Sequence, residues 1–556
     1  MLEELEQLRA EFGHGVAARK IALLRGLEVA QLSSVRAVSR LHEAACFLRA
    51  YPDDARVLAA VERLLERFAA RTDLRRHRAH LEDSGIAGTE TFFPFFAPTA
   101  AWLARRWGER LTIDWPSFDE KQRLEELLPL LVTWSETPAL DEVAMSPRRW
   151  IQRLKGPDET DAAFLVRRVE ALEASEPVRE HLWHDLAPTL RLAPGPDTPS
   201  RTRAKLPGRP VHFRRRPLRR ERPDLRRELR RPPRSIRPVS PAEGRRVIDL
   251  AREAMVARAR DLDAFAYGDP RDVRLADCGE GLVFACIGLV PERRLLLEAV
   301  YGFLTLKNGV PIGYVLTSAL NRSSEIAYNV FDTWRGGEAA WIYGRVLATT
   351  RALFGSEVFT VYPYQLGHGN EEGLRSGAWW FYQKLGLRPR DASALRLMER
   401  ELERLRRDPR HRSSRATLKR LAEHNVFLER GRPRDDVIGA FPLGAVGLAA
   451  SAHLAERFGS GRERGERVLA DEAARRLGAG SWRGLSTSAR LAWRRWAPLV
   501  AVLPGLETWS AAERRALAAV VRAKGGRRES DFVRRFDAHA ALRASLARLA
   551  RRERDL

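Results

Sequence analysis

The sequence predicts an α/β (α+β) protein with a central sheet-bearing segment between two helical regions. Three observations predict it. Apolar residues recur at spacings of three and four over residues 1–190 and again past 391, the period of helices with one buried face. From Ser235 the chain alternates strand-like and helix-like stretches, the pattern of a sheet covered by helices. Asn308-Gly309 stands between two apolar runs, and both residues accept the positive φ that a tight hairpin turn requires.

Residues 1–190 read as a helical domain, with apolar faces at Val57, Leu58, Val61, Leu64, Leu65 and Phe68 and at Leu124, Leu127, Leu128 and Leu131. Between them, Thr89–Phe96 carries Phe92, Phe93, Phe95 and Phe96 and reads as a segment packed against neighbouring helices. Residues 191–234 read as a Pro/Arg-rich connector, because Pro, Gly and Ser punctuate structure rather than extend it. Ser235–Val239 is then a short strand. Ser240-Pro-Ala-Glu starts a helix, with Ser240 as N-cap, Pro241 in the first turn and Glu243 completing a capping box. After a long middle region come strands at Leu296–Leu306, Pro311–Ser318 and Ser324–Phe331. A helix over Glu338–Phe354, a strand over Val358–Gln365 and a helix over Gly373–Leu385 close the segment at 390. Residues 391–556 read as helical again, with stretches near Ala392–Arg407, Ala416–Leu428, Ser488–Val502, Ala511–Ala523 and Phe532–Ala550.

A chain of 556 residues exceeds what one core serves, so several domains are expected. A hydrophobic share of 44% beside a charged share of 31% excludes a disordered chain. No apolar run reaches the roughly 18 residues that would span a bilayer; the nearest, Val437–Ala452, reads as a buried helix. The acidic start Met1-Leu-Glu-Glu-Leu-Glu has no basic n-region, so no signal peptide is expected and the cytoplasm is the expected location. Cys46, Cys278 and Cys286 form neither a disulfide framework nor a metal-ligand spacing, and no metal is expected. Of the net charge of +24, half lies in Arg201–Arg234, where 15 basic residues face three acidic ones. Such a stretch can neutralise phosphates or an acidic partner, so weak binding of nucleic acid or of an acidic protein is an expectation for it.

The stretch Ala378-Trp-Trp-Phe-Tyr-Gln-Lys-Leu-Gly-Leu387 ends a helix in Tyr-x-Lys-Leu-Gly-Leu and passes straight into an extended piece. Together with the element order before it, this resembles the GNAT superfamily of acyl-CoA-dependent N-acyltransferases over about residues 235–390. The resemblance implies a mixed, mostly antiparallel sheet whose fourth and fifth strands, here Ser324–Phe331 and Val358–Gln365, splay apart to admit the pantetheine arm of acetyl-CoA or a related acyl-CoA. It implies that Tyr382 protonates the departing thiolate. It also implies a pyrophosphate cradle at the start of the following helix, which here is Arg335, Gly336, Gly337, Glu338, Ala339 and Ala340. Alignment on Arg335 puts Glu338 where the family usually has Gly. Either the cradle shifts onto Gly336-Gly337, or the carboxylate repels the pyrophosphate and impairs binding.

For the catalytic base, strand alternation places Glu325, Ala327 and Asn329 on one face, which makes Glu325 the first candidate. Glu298, Asp332 and His368 follow it. The expected function is acyl transfer to an amine whose identity the sequence does not carry. The alternative is a non-catalytic binding or scaffold protein of the same fold, recruiting an acidic partner or nucleic acid.

Overall fold

Period-three-and-four apolar spacing becomes helix through most of the chain, and period-two spacing becomes one large sheet. The computed structural model describes residues 1–429 and 431–552, without the side chain of Arg552. The chain divides into two compact units, each discontinuous in sequence. The first comprises residues 1–218, 246–267 and 307–312; the second comprises 219–245, 268–306 and 313–556.

The first unit is helical with a small antiparallel sheet, β1 (Thr91–Phe93), β2 (Leu111–Ile113) and β3 (Leu190–Leu192), in the order β1-β3-β2. Three of its helices start where short polar side chains cap them: Ser34 accepts from Ala37 N–H, Asp54 from Arg56 and Val57 N–H, and Thr160 from Ala163 N–H. Around the small sheet, Trp102, Trp107, Leu124, Leu128, Phe164 and Trp183 form a continuous core. Phe95 is buried in the same core, as the aromatic run predicts. The first part of the Arg-rich connector is packed, not a solvated tether. Arg49 donates to the carbonyls of Thr202 at 2.6 Å and Arg201 at 2.9 Å, and the Thr202 hydroxyl accepts from Ala87 N–H at 2.8 Å.

The second unit carries nine strands: β4 (Ser235–Pro238), β5 (Gly268–Gly279), β6 (Leu282–Leu289), β7 (Ala299–Lys307), β8 (Val310–Leu320), β9 (Ser323–Val330), β10 (Val358–Val361), β11 (Arg388–Pro389) and β12 (Val426–Leu428). Their order is β11-β12-β10-β9-β8-β7-β6-β5-β4. The fold is therefore α+β, a mixed sheet in which β9 and β10 run parallel while β4–β5, β5–β6, β8–β9, β10–β12 and β11–β12 are antiparallel. Asn308 and Gly309 make the β7–β8 turn with φ of 51° and 80°, the doubly positive form that suits the right-handed twist of the flanking strands.

Five expectations change. The middle region is a hairpin, β5–β6, that lies in the sheet beside β4. The strand expected over Val358–Gln365 stops at Val361. The helix expected over Gly373–Leu385 is two, Glu371–Ser376 and Ala378–Lys384, broken at Gly377, whose φ of 67° no helix continues. Val426–Leu428, expected within a helix beyond a boundary at 390, is instead a strand inserted between β10 and β11. The described residues past 440 are helices joined by short turns, but Val437–Ala452 is not one buried helix. A helix over Leu443–Phe458 buries only Ala445, Val446 and Ala449. No helix of the described residues is long and apolar enough to cross a membrane.

Candidate active site

β9 outlasts its parallel neighbour. Register joins Val358 to Ser323, Phe359 to Ser324 and Thr360 to Glu325, and then ends. Pro363 accounts for the stop: it has no N–H to extend a ladder, and its fixed φ starts the short helix Pro363–Leu366. Ile326–Val330 keep their antiparallel partner β8 on one side. On the other side, Tyr328, Asn329 and Val330 line an opening together with Gln365, Phe381 and Tyr382.

Alternation puts different chemistry on the two faces of β9. On the first, the Ser318 hydroxyl, directly opposite on β8, donates to Glu325 Oε2 at 3.2 Å. Burial pushes the Glu325 carboxyl up to about 7; the Ser318 hydrogen bond pulls against this and the Glu298 carboxylate adds to it. Glu298 is itself raised by burial, against the nearby Lys524 cation. Tyr362 shares the neighbourhood, and burial, followed by the charges of Glu325 and Glu298, drives its phenol up.

The Glu325 arrangement has a measurable stability cost. A carboxyl raised from 4.5 to about 7 by folding stabilises the fold fully below 4.5 and loses that contribution as pH rises through about 7. Urea midpoints measured from pH 4.5 to 7 should therefore fall less steeply in Glu325→Gln than in the parent protein. Identical slopes would mean that Glu325 titrates normally.

On the second face, aromatic rings fill the space under the helices Ala339–Phe354 and Ala378–Lys384. Tyr328 stacks on Phe381 at 6.5 Å and 20° between planes, and Tyr343 meets Tyr382 edge-on at 5.5 Å. The Tyr328 hydroxyl donates to the Ala339 carbonyl at 3.0 Å. The Tyr382 hydroxyl takes a backbone hydrogen bond from Tyr328, which places it on the open edge of β9. Burial holds its phenol well above the ordinary range, so it carries its proton at neutral pH. Trp379 and Trp380 turn away from the opening, donating to the Leu421 carbonyl at 3.0 Å and the Ser413 hydroxyl at 3.1 Å.

A cavity of about 240 Å³ sits at the opening, with Asn329, Arg335, Gln365, Glu372, Phe381 and Tyr382 in its walls. Asn329 Oδ1 is buried there with no hydrogen-bond partner, an acceptor left over by the protein itself. Arg335 reaches the cavity from the turn before the helix, but its guanidinium is engaged. It pairs with Asp332 at 2.7 Å and with Glu372, and its Nε donates to the Val330 carbonyl at 3.1 Å.

The Glu338 side chain is turned into the protein. It is 1% exposed, and its Oε1 accepts the backbone N–H of Arg219 at 3.2 Å. That bond brings the second part of the Arg-rich connector to the start of the helix Ala339–Phe354, where the Arg219 guanidinium lies 4.7 Å over the Trp341 ring. Gly336 is open, with nothing within 4 Å of where a Cβ would stand.

Of the sequence candidates, the cavity unites Tyr382 and Arg335. Glu325 and Gly336 to Ala340 are not in its walls. Glu325 lies about 10 Å along β9 from Tyr328, on the other face of the strand. The fallback Asp332 is an exposed ion-pair partner of Arg335, and His368 is exposed in its loop. Tyr362, Asn329, Gln365 and Glu372 escaped the sequence reading. For Tyr362 there was a signal, since it continues the alternation of Val358 and Thr360 on the β10 side. Among the described residues no cluster of three or more His, Cys, Asp or Glu is placed to hold a metal ion.

No family model, curated protein or solved structure matches this chain. The site's own residues bring together a buried, protonated phenol at the edge of β9, an unsatisfied acceptor in a cavity beside it, and a carboxyl near 7 on the other face of the strand.

Proposed function

We propose that this protein transfers an acyl group from acetyl-CoA or a related acyl-CoA to an amine. The observation that carries the reading is the opening past the Thr360–Glu325 pair, with the Tyr382 hydroxyl on its edge. A thioester threaded through that opening has one group on each side. Glu325 accepts a proton from the incoming amine through bridging waters. The amine nitrogen then attacks the thioester carbon, the C–S bond breaks, and the leaving thiolate takes the Tyr382 proton. Asn329 Oδ1 offers an acceptor to an amide N–H of the pantetheine arm. At the other end Arg335 exchanges Glu372 for a phosphate oxygen, and the open backbone at Gly336 allows close approach.

A second reading, a non-catalytic binding protein for an acidic partner or nucleic acid, draws on the same helix start. There Arg335 is already paired with Glu372, and the Glu338 carboxylate is engaged by the Arg219 N–H of the Arg-rich connector.

Calorimetric titration of acetyl-CoA into the full chain separates the two. Micromolar affinity is expected, and Gly336→Glu should lower it at least tenfold, because it adds a repelling carboxylate where no packing is disturbed. Absence of binding to both acetyl-CoA and CoA would overturn the enzyme reading and leave the partner-binding one.

A further inference from the structure

Residues 119–145 run against the charge of the whole chain. In a protein of net +24 they hold seven carboxylates and two cations. They form the helix Lys121–Leu131, a tight turn at Trp134–Glu136 and the helix Thr137–Glu142, all within the first unit.

The core of that unit takes Leu124, Leu128 and Leu131 from this lobe, with Leu127, Leu140 and Met145 packed against it. Left outside are Leu130 at 56% exposure, Trp134 at 90% and Val143 at 46%. Soluble proteins seldom leave a tryptophan so open, since its ring is the largest single source of association energy a side chain offers.

Trp134 is also held in place. Thr133 and Glu136 form a reciprocal capping box around the turn, and the Thr137 hydroxyl donates to the Trp134 carbonyl at 2.9 Å. The ring is presented on a pre-ordered backbone, so a partner would not have to order it on binding. On the same lobe, Glu125, Glu126, Asp141 and Glu142 are exposed and have no basic partner among the described residues. Elsewhere in this arginine-rich chain exposed carboxylates such as Glu403 and Glu371 are paired with arginine.

We propose that this lobe docks a basic amphipathic helix of a partner protein. Three apolar anchors match the apolar stripe of such a helix, and four uncompensated carboxylates match the Lys and Arg that flank it. The same carboxylates repel phosphate, which argues against a nucleic acid or an anionic bilayer as the occupant.

The test uses the full chain and a fluorescein-labelled 18-residue peptide of Leu and Lys in amphipathic order, read by anisotropy. A peptide of the same composition in scrambled order is the control. The protein as a whole repels a cationic peptide, so micromolar binding reports the lobe and not bulk charge. The amphipathic peptide should bind at least tenfold tighter than the scrambled one. Trp134→Ala should weaken it at least tenfold, Trp134→Phe should restore most of the loss, and Glu125→Lys with Glu126→Lys should weaken it by a similar factor. Added salt should loosen the complex. Circular dichroism establishes that each variant is folded. No binding, equal binding by Trp134→Ala, or tightening with salt would overturn the proposal. So would sedimentation in which Trp134→Ala turns a dimer into a monomer, since the occupant would then be a second copy of this chain.

Discussion

Tyr382→Phe should lower the rate of acyl transfer by about 10²-fold or more while leaving acetyl-CoA affinity within about threefold. The substitution removes one oxygen and nothing else from a well-packed position. The ring keeps its edge-on contacts with Tyr343 and Phe381, and the Tyr328 N–H loses an acceptor. Uniform binding should therefore survive, and the loss should appear in turnover. Burial keeps the proton on the Tyr382 oxygen at neutral pH, and the Tyr328 N–H partly offsets it by favouring the phenolate. The assay is thiol release from acetyl-CoA across a panel of amines, with affinity measured separately by calorimetry. An unchanged rate in Tyr382→Phe would remove it as the acid. A parallel fall in affinity would mean that the hydroxyl holds the strand edge in shape rather than moving a proton.

Lys524→Met should destabilise the fold by about 3–5 kcal/mol. Lys524 is 4% exposed; its ammonium lies 2.6 Å from Glu529 Oε1, donates to the Glu298 carbonyl at 2.8 Å and sits 4.1 Å over the Phe532 ring. Glu529 is wholly buried, and its backbone N–H donates to Asp272 Oδ2 at 2.9 Å. Burial lowers the ammonium and raises the carboxyl, each opposed by the other's charge. Methionine keeps most of the volume but strands a carboxylate where water does not reach. The double variant Lys524→Met with Glu529→Leu should recover much of the loss, since removing both charges removes the desolvation cost with them. Urea denaturation measures both. A single variant within about 1 kcal/mol of the parent would show that the pair is better hydrated than its burial implies.

Local chemistry made much of the fold legible. Asn308-Gly309 forms its turn, and the Ser240 hydroxyl accepts from Glu243 N–H at 3.2 Å at the start of the helix that Pro241 opens. β8, β9 and the helix Ala339–Phe354 lie within a few residues of their expected bounds. What stayed hidden depends on distant partners. β5 carries Asp269, Arg271, Asp272, Arg274 and Asp277, charges that break up any apolar alternation in what the sequence shows only as a long middle region. Yet Asp272 accepts from the buried Tyr301 hydroxyl at 2.5 Å, and Arg274 donates to Ser530 at 2.7 Å. β12 is three apolar residues among helices, and only pairing with β10 and β11 makes them a strand.

The candidate site divides in the same way. Tyr382 and Arg335 were readable because a helix stop and a Gly-Gly turn mark them. Glu372, 37 residues from Arg335, and the Arg219 N–H on Glu338 are contacts no local pattern announces.

The interleaving of the two units has a consequence for biosynthesis. The first unit holds residues 246–267 and 307–312 as well as 1–218. Trp102 donates to Asp249 at 2.9 Å, Phe96 N–H donates to Asp261 at 3.0 Å, and Asn308 donates to the Ala50 carbonyl at 2.9 Å. A nascent chain that has emerged only to residue 218 therefore lacks the acceptors and the donor that finish this unit. At roughly 5–20 residues per second, the remaining stretch to 312 takes on the order of 5–20 s to appear. Over that interval the early helices wait with Trp102 uncovered, a natural point for a chaperone to act. A ribosome stalled before residue 312 would hold a protein that no amount of time could complete.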